Sequence, residues 1–307
     1  MRELQESATV DDLVSFYFES NDFKMLREKT QKDYKYFLSK MQQVVGKKEY
    51  KSITSRMAKH MYEDWVTHGV SYANHICSAC ITLYNYALHM EYVDVNPFSA
   101  VKKKTVKQRK VVWTTDQIKQ FLDYAYSSWE HRSVGLIVHM AYEWCQRVGD
   151  MRLLKWDNID MSSRRLMLEQ SKRGAQVELP IHDDLFSMLE EQHQAFGFQP
   201  YVAPQMQPAD GEYKPYGLWQ LSKKGRLIMD ALSLPKDLRL MDLRRTGTTE
   251  MVNAGVSMAQ IMSVTGHANP QSVKPYMRHT YDAANSALTQ RKSCSKSISD
   301  ADKESDI

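Results

Sequence analysis

The amino-acid sequence predicts a mainly α-helical protein with one small β-hairpin (α+β), laid out as two domains. Three observations predict this. Through the first hundred residues, apolar side chains recur at helical spacing between helix-start and helix-stop signals. Residues 101–110 (VKKKTVKQRK) hold six basic residues and no acidic one, a break in composition between two patterned halves. In the second half, segments 164–170 and 176–181 read as strands, and Ser171-Lys172-Arg173-Gly174-Ala175 joins them as a hairpin turn. At 307 residues the chain is long enough for two cores.

The elements follow in order. Thr9-Val10-Asp11-Asp12 has the T-x-x-D form of a helix start, ahead of Leu13, Val14, Phe16 and Tyr17. A second helix is expected over 24–44, dense in Lys and Arg. A third follows Thr54 or Ser55 and ends near Gly69. A fourth spans 71–90, where Tyr72, Ile76, Cys80, Leu83 and Ala87 share one side. Asn96-Pro97 stops the pattern. The first domain is therefore expected at 1–98, with a basic linker at 99–112.

Thr114-Thr115-Asp116-Gln117 starts the next helix, with Ile118, Phe121, Leu122 and Ala125 on one side. A mostly apolar helix is expected at 132–146. Beyond the hairpin, helices are expected at 183–195, 217–232, 241–253 and 257–264, with a Pro-rich loop at 198–215. This second domain should span 113–292. Residues 293–307, rich in Ser and Asp, read as a disordered tail.

Composition narrows the class. Hydrophobic residues make up 42% and charged residues 25%, as in ordinary globular proteins. The longest apolar stretch, 134–141, is interrupted by His139 and is far too short to cross a bilayer. The N-terminus MRELQESATVDD has no apolar signal segment, so an intracellular protein is expected. The cysteines are scattered and form no disulfide framework; Cys77 and Cys80 read as two small core residues of a helix rather than as a metal site. Net charge is only +4, yet residues 1–98 carry 12 basic against 13 acidic side chains. The positive excess sits in the linker, which reads either as a solvated connection or as a strap along a phosphate backbone.

Four segments carry candidate chemistry: Arg147-Val148-Gly149-Asp150, the hairpin Lys172, Met241-Asp242-Leu243-Arg244-Arg245-Thr246, and Thr265-Gly266-His267 with Tyr276 nine residues on. Each alone has an ordinary reading as a surface arginine, a solvated lysine or a structural histidine. In this order and spacing they resemble the signature of the tyrosine recombinases, the family of phage integrases and Xer recombinases. That signature runs R-x-x-[DE] after an apolar helix, a hairpin Lys, H-x-x-R opening a helix, L-G-H, and a Tyr about nine residues later. The resemblance covers residues 8–290.

The resemblance implies a helical core-binding domain followed by a recombinase catalytic domain. It implies attack by Tyr276 on a DNA phosphodiester, giving a 3′-phosphotyrosyl link and a free 5′-hydroxyl, with no cofactor and no metal. Arg147 and Arg244 would hold the non-bridging oxygens. Lys172 would protonate the leaving 5′-oxygen. His267 would donate to the phosphate or help remove the tyrosine proton. Asp150 would orient a neighbour. Met241 stands where the family often has a His, and a thioether supplies no useful proton, so a slower site is expected. Tyr281 is a competing nucleophile that sits too far from His267; His279 reads as a surface residue.

For partners, the resemblance implies double-stranded DNA recombination sites, a homotetramer on DNA, accessory DNA-bending or directionality proteins, and no membrane. Lys102, Lys103, Lys104, Lys107, Arg109, Lys110 and Arg173 are the expected phosphate contacts. Residues 280–292 would pack on a neighbouring protomer. A further N-terminal arm-binding domain is not expected. Action in the bacterial cytoplasm, at the nucleoid, follows from such a partner. Three other readings stay open: a non-catalytic DNA-binding regulator, a type IB topoisomerase, and a helical interaction protein with no DNA role.

Overall fold

The computed structural model describes residues 4–107, 109–172 and 174–274, and near the C-terminus 284, 285, 287–289, 291 and 292. Arg173, Tyr276, His279, Tyr281 and the tail at 293–307 lie outside the described residues. The chain divides into two units, Met1–Arg109 and Lys110–Ile307.

The first unit is helical: α1 (Val10–Glu19), the single turn α2 (Asn21–Lys24), α3 (Glu28–Val45), α4 (Ser55–Val66) and α5 (Val70–His89). Thr9 and Asp12 close the reciprocal cap on α1 that the T-x-x-D pattern predicts. The helix expected at 24–44 is instead split after Lys24. Gln31 Nε2 donates to the carbonyls of Lys24 and Leu26 at 3.1 and 2.8 Å, which satisfies the turn between the two pieces. Leu13, Tyr17, Leu38, Met41, Tyr62, Ile76, Leu83 and Phe98 form the core, and Cys77 and Cys80 are wholly buried within it as free thiols.

The start of the expected linker belongs to this unit. Val101 packs into its core. Tyr62 Oη accepts from the Lys104 N–H at 2.6 Å, and Asn74 Nδ2 donates to the Lys104 carbonyl at 2.9 Å. Lys103 Nζ donates to Ser78 Oγ at 3.0 Å, and Lys104 Nζ pairs with Glu63 at 2.6 Å.

The second unit contains α6 (Thr115–Tyr126), α7 (Arg132–Glu143), the single turn α8 (Val148–Met151), β1 (Ile159–Asp160), β2 (Arg165–Glu169), β3 (Gln176–Pro180), α9 (Asp183–Phe196), α10 (Leu218–Ala231), α11 (Leu243–Asn253) and α12 (Met258–Thr265). The apolar stretch noted in the sequence is the core of α7, with Val134, Leu136, Ile137, Val138, Met140 and Ala141 all buried. The strands make an antiparallel sheet in the order β1-β2-β3, and Leu166 pairs with Leu179 and Leu168 with Val177. These inward residues alternate with exposed ones on both strands. Two residues of β1 are too few to show an alternation, so the sequence reveals a hairpin and not the third strand.

One difference bears on the site. The helix expected at 132–146 ends at Glu143, and Cys145 takes a left-handed φ of +50°. That residue turns the chain just ahead of Arg147.

α6 and α7 pack closely because Gly135 has no side chain. A Cβ built there would fall 2.7 Å from the Ala125 Cβ, and neither methyl can rotate away. Gly135→Ala gains about 1 kcal/mol of helix propensity but overpacks the crossing by about 1–3 kcal/mol. A lower urea midpoint for the second unit, at unchanged m-value, is the expected outcome.

Candidate active site

The polar centre of the second unit is built on a chain reversal. Trp144 caps α7 and its indole Nε1 donates to the Pro180 carbonyl at the end of β3, at 3.0 Å. Cys145 follows, with Sγ pointed at α11. A Cβ on Gly247 would lie 2.5 Å from that sulfur, so the glycine lets α11 approach. Burial pushes the Cys145 thiol up to about 12, which keeps it a neutral packing group. Gln146 is then fully buried, and Arg147 opens α8.

Arg244 lies in the first turn of α11 and is only 7% exposed. The chain is pinned on both sides of it: Asp242 Oδ2 accepts from the Arg239 N–H at 3.0 Å, and Thr246 Oγ1 accepts from the Trp113 N–H at 2.9 Å. Met241 is exposed, and nothing in its side chain replaces the proton donor that the family signature carries there.

Two glutamine amides join the two arginines. Arg147 Nη1 donates to Gln170 Oε1 at 2.9 Å. Gln170 Nε2 donates to Gln146 Oε1 at 2.7 Å and to the Thr265 carbonyl at 2.8 Å. Arg244 Nη1 reaches Gln146 Oε1 at 3.4 Å, and its Nη2 donates to the Thr265 carbonyl at 2.6 Å. Gln146 Nε2 closes the lattice on the carbonyls of Trp144 and Val264, at 2.8 and 2.7 Å. Asp150 stands beside Arg147, with Oδ2 3.6 Å from Nη1, while its Oδ1 accepts from the Ser171 hydroxyl. Gln170 and Ser171 therefore fasten the end of β2, and exposed Lys172 follows them into the hairpin turn.

His267 joins the same lattice. Its Nε2 lies 3.2 Å from Arg244 Nη2 and its Nδ1 lies 2.7 Å from Thr265 Oγ1. The turn that carries it depends on Gly266, the left-handed residue ending α12 at φ +66°.

The structure thus brings together Arg147, Asp150, Arg244 and His267, and sets Lys172 two residues beyond Gln170. Lys102, Lys103, Lys104, Lys107, Arg109 and Lys110 lie along the segment between the two cores, and Arg173 is outside the described residues. Gln146, Gln170, Ser171 and Thr265 are members that the sequence motifs did not flag. One signal was present: Gln170 continues the period-two face of Leu166 and Leu168, so its amide had to point inward. Among the described residues no group of three or more His, Cys, Asp or Glu side chains could hold a metal ion.

Residues 112–283 match the Phage integrase family. No curated protein matches the chain. Among solved structures, the chain resembles a lambda integrase dimer bound to a COC' core site, with 19% identity and a TM-score of 0.72 over 88% of this chain and 77% of that one. A lambda integrase tetramer bound to a Holliday junction gives 19% identity and a TM-score of 0.73, over 89% and 78% of the two chains. The Tn1549 transposon integrase in complex with circular intermediate DNA gives 16% and 0.71, over 92% and 99%. At these identities the likeness is one of fold. The family match spans more than half of the chain, and the chain belongs to the Phage integrase family, the tyrosine recombinases. Its activity is that class's activity, site-specific cleavage and rejoining of DNA.

Gly266 is tightly constrained. A Cβ there would sit 2.6 Å from Gln170 Nε2, and a left-handed φ adds about 1–2 kcal/mol for residues such as alanine. Gly266→Ala should lower thermal stability of the second unit and reduce DNA cleavage by at least tenfold, measured as covalent adduct formed on a nicked site.

Proposed function

We propose that Arg147, Lys172, Arg244, His267 and Tyr276 carry the cleavage chemistry of a phage- or mobile-element-type integrase acting through a 3′-phosphotyrosyl intermediate. One observation carries this reading. Two guanidinium groups from separate elements are tied into one lattice through Gln146 and Gln170, with His267 against the second of them. Tyr276 is assigned by its place in the family signature.

The roles follow from the charge that develops. The Tyr276 oxygen attacks phosphorus as the bond to the 5′-oxygen breaks, and extra negative charge appears on the non-bridging oxygens. Arg147 and Arg244, already oriented, hold that charge without reorganising. Lys172 protonates the departing 5′-oxygen. A second 5′-hydroxyl then reverses the step on a new partner, so the ester bond is conserved. Asp150 holds Arg147 and the hairpin residue Ser171 together and takes no proton.

The unit Met1–Arg109 serves, in this reading, as the core-type DNA-binding domain at 1–98, with 99–112 as its basic connection to the catalytic domain at 113–292. Lys102, Lys103, Lys104, Lys107, Arg109, Lys110 and Arg173 meet phosphates. Lys103 and Lys104 do so by exchanging their contacts with Ser78 and Glu63. DNA-bound relatives, one of them a tetramer on a Holliday junction, support duplex recombination sites as substrate and a homotetramer as the working assembly. Accessory DNA-bending or directionality proteins, and a place at the bacterial nucleoid, belong to the same proposal.

The test is a duplex carrying the cognate site with a nick that traps the cleaved strand. Wild type should give a covalent protein–DNA band on a denaturing gel, and Tyr276→Phe should give none. A band that survives the substitution moves the nucleophile to another tyrosine, Tyr281 first. Tight binding without any band makes the chain a DNA-binding regulator, and supercoil relaxation without joined product makes it a topoisomerase.

A further inference from the structure

Arg244 sits between two hydrogen bonds that come from one distant residue. Trp113 is buried at the entry to the second unit, and both of its N–H groups reach the chain around Arg244. The indole Nε1 donates to the Arg239 carbonyl, ahead of the arginine, at 3.1 Å. The backbone N–H donates to Thr246 Oγ1, just beyond it, at 2.9 Å. Thr246 is 1% exposed, and a buried hydroxyl needs partners. It gives its own proton to the Asp242 carbonyl at 3.1 Å and keeps its oxygen for Trp113. The Asp242 carboxylate accepts in turn from the Arg239 N–H. The turn before α11 and the first turn of α11 are thus closed into one piece, which Trp113 grips at both ends.

The grip has a fixed base. Trp113 leads directly into the Thr114 cap of α6, and its ring meets Phe121 of that helix edge-on at 5.7 Å. α6 packs on α7 across Gly135, and the chain beyond α7 delivers Arg147. The glutamine lattice orients the guanidinium ends, while the grip holds the backbone from which the second one extends. From this geometry we infer that Thr246 is a positioning residue for cleavage: by accepting from Trp113 it holds the first turn of α11 where Arg244 meets the same phosphate as Arg147. The inference rests on the recombinase reading above and adds to it a residue that acts only through Arg244. The basic connection runs into this grip, with Val111 packed against the core of the second unit. The strap along the phosphates and the arginine at the scissile phosphate therefore share one anchor.

The test separates lost positioning from lost stability by changing the charge that Arg244 has to meet. Full-length wild type, Thr246→Val, Thr246→Ser and Arg244→Ala are compared on two nicked duplexes. One carries an ordinary phosphate at the scissile position. The other carries a methylphosphonate, in which a methyl group replaces a non-bridging oxygen and removes the net charge, so less depends on a placed guanidinium. Adduct formation is followed at saturating DNA below the melting range of each protein, and DNA affinity is measured separately. Thr246→Val keeps the shape and leaves the Trp113 N–H without its acceptor. On the phosphate it should form adduct about 10- to 100-fold more slowly, as a misplacement of about 1 Å does, with DNA affinity within about threefold of wild type. On the methylphosphonate its deficit should shrink to within about threefold, and Arg244→Ala should show the same pattern with a deeper loss on the phosphate. Thr246→Ser, which keeps the hydroxyl, should stay within about threefold of wild type on both duplexes. A Thr246→Val protein that melts lower but cleaves the phosphate as wild type does overturns the inference. So does a loss of equal size on both duplexes, which marks a general structural role. Wild type that binds its site and forms no adduct on either duplex overturns the recombinase reading and the inference with it, whereas the other failures are scored on a wild type that cleaves and leave that reading standing.

Discussion

The second unit turns on one contact, the 2.7 Å hydrogen bond between the side-chain amides of Gln170 and Gln146. Each arginine of the site reaches one of these two amides. Only an amide suits both places: it is neutral, it accepts from a guanidinium on one edge, and it donates onward from the other. A carboxylate at either position would neutralise an arginine that must meet a phosphate. An apolar side chain would leave buried guanidinium N–H groups without acceptors, at about 1–3 kcal/mol or more each. The amide pair orients both guanidinium groups without adding a negative charge between them, which suits the stabilising of a charged transition state.

The surrounding fold supplies the remaining partners in backbone form. The carbonyls of Trp144, Val264 and Thr265 end two different helices, where carbonyls lack intrahelical partners, and the lattice spends all three on glutamine and arginine side chains. Helix termini are thus the sockets of the site. The end of α7 fits this: a helix continued well past Trp144 would turn that carbonyl into its own ladder and swing Arg147 away from β2.

Most of the helical framework was legible in the sequence because its signals are local. The Thr9–Asp12 cap, the apolar spacing of α5 and the alternation of β2 and β3 each announce themselves within a few residues. The split between α2 and α3 was not legible, since it depends on where the Gln31 side chain reaches. The arginines, the hairpin lysine and His267 were legible only as an ordered set, through resemblance to a family signature. The glutamines and Thr265 were hidden for a physical reason. A polar side chain in a row of apolar ones reads as surface or noise until the fold shows that it is buried, and burial is a property of the whole chain. The basic segment was visible as charge, while the anchoring of Lys103 and Lys104 follows from Glu63, Ser78 and Tyr62, which lie far from it in sequence.

The meeting of Cys145 and Gly247 has an evolutionary corollary. The sulfur occupies the room that a β-carbon on α11 would need, and its backbone sits in a left-handed conformation that glycine would adopt without strain. The two sites are therefore coupled. Glycine at 145 relaxes the backbone and removes the thiol, leaving the Tyr142 carbonyl, 3.0 Å from a β-carbon at 247, as the close neighbour that must give; a methyl at 247 arriving first meets both. The pair forms a ratchet in sequence space, with the order of substitution fixed by which residue must leave before the other can enter.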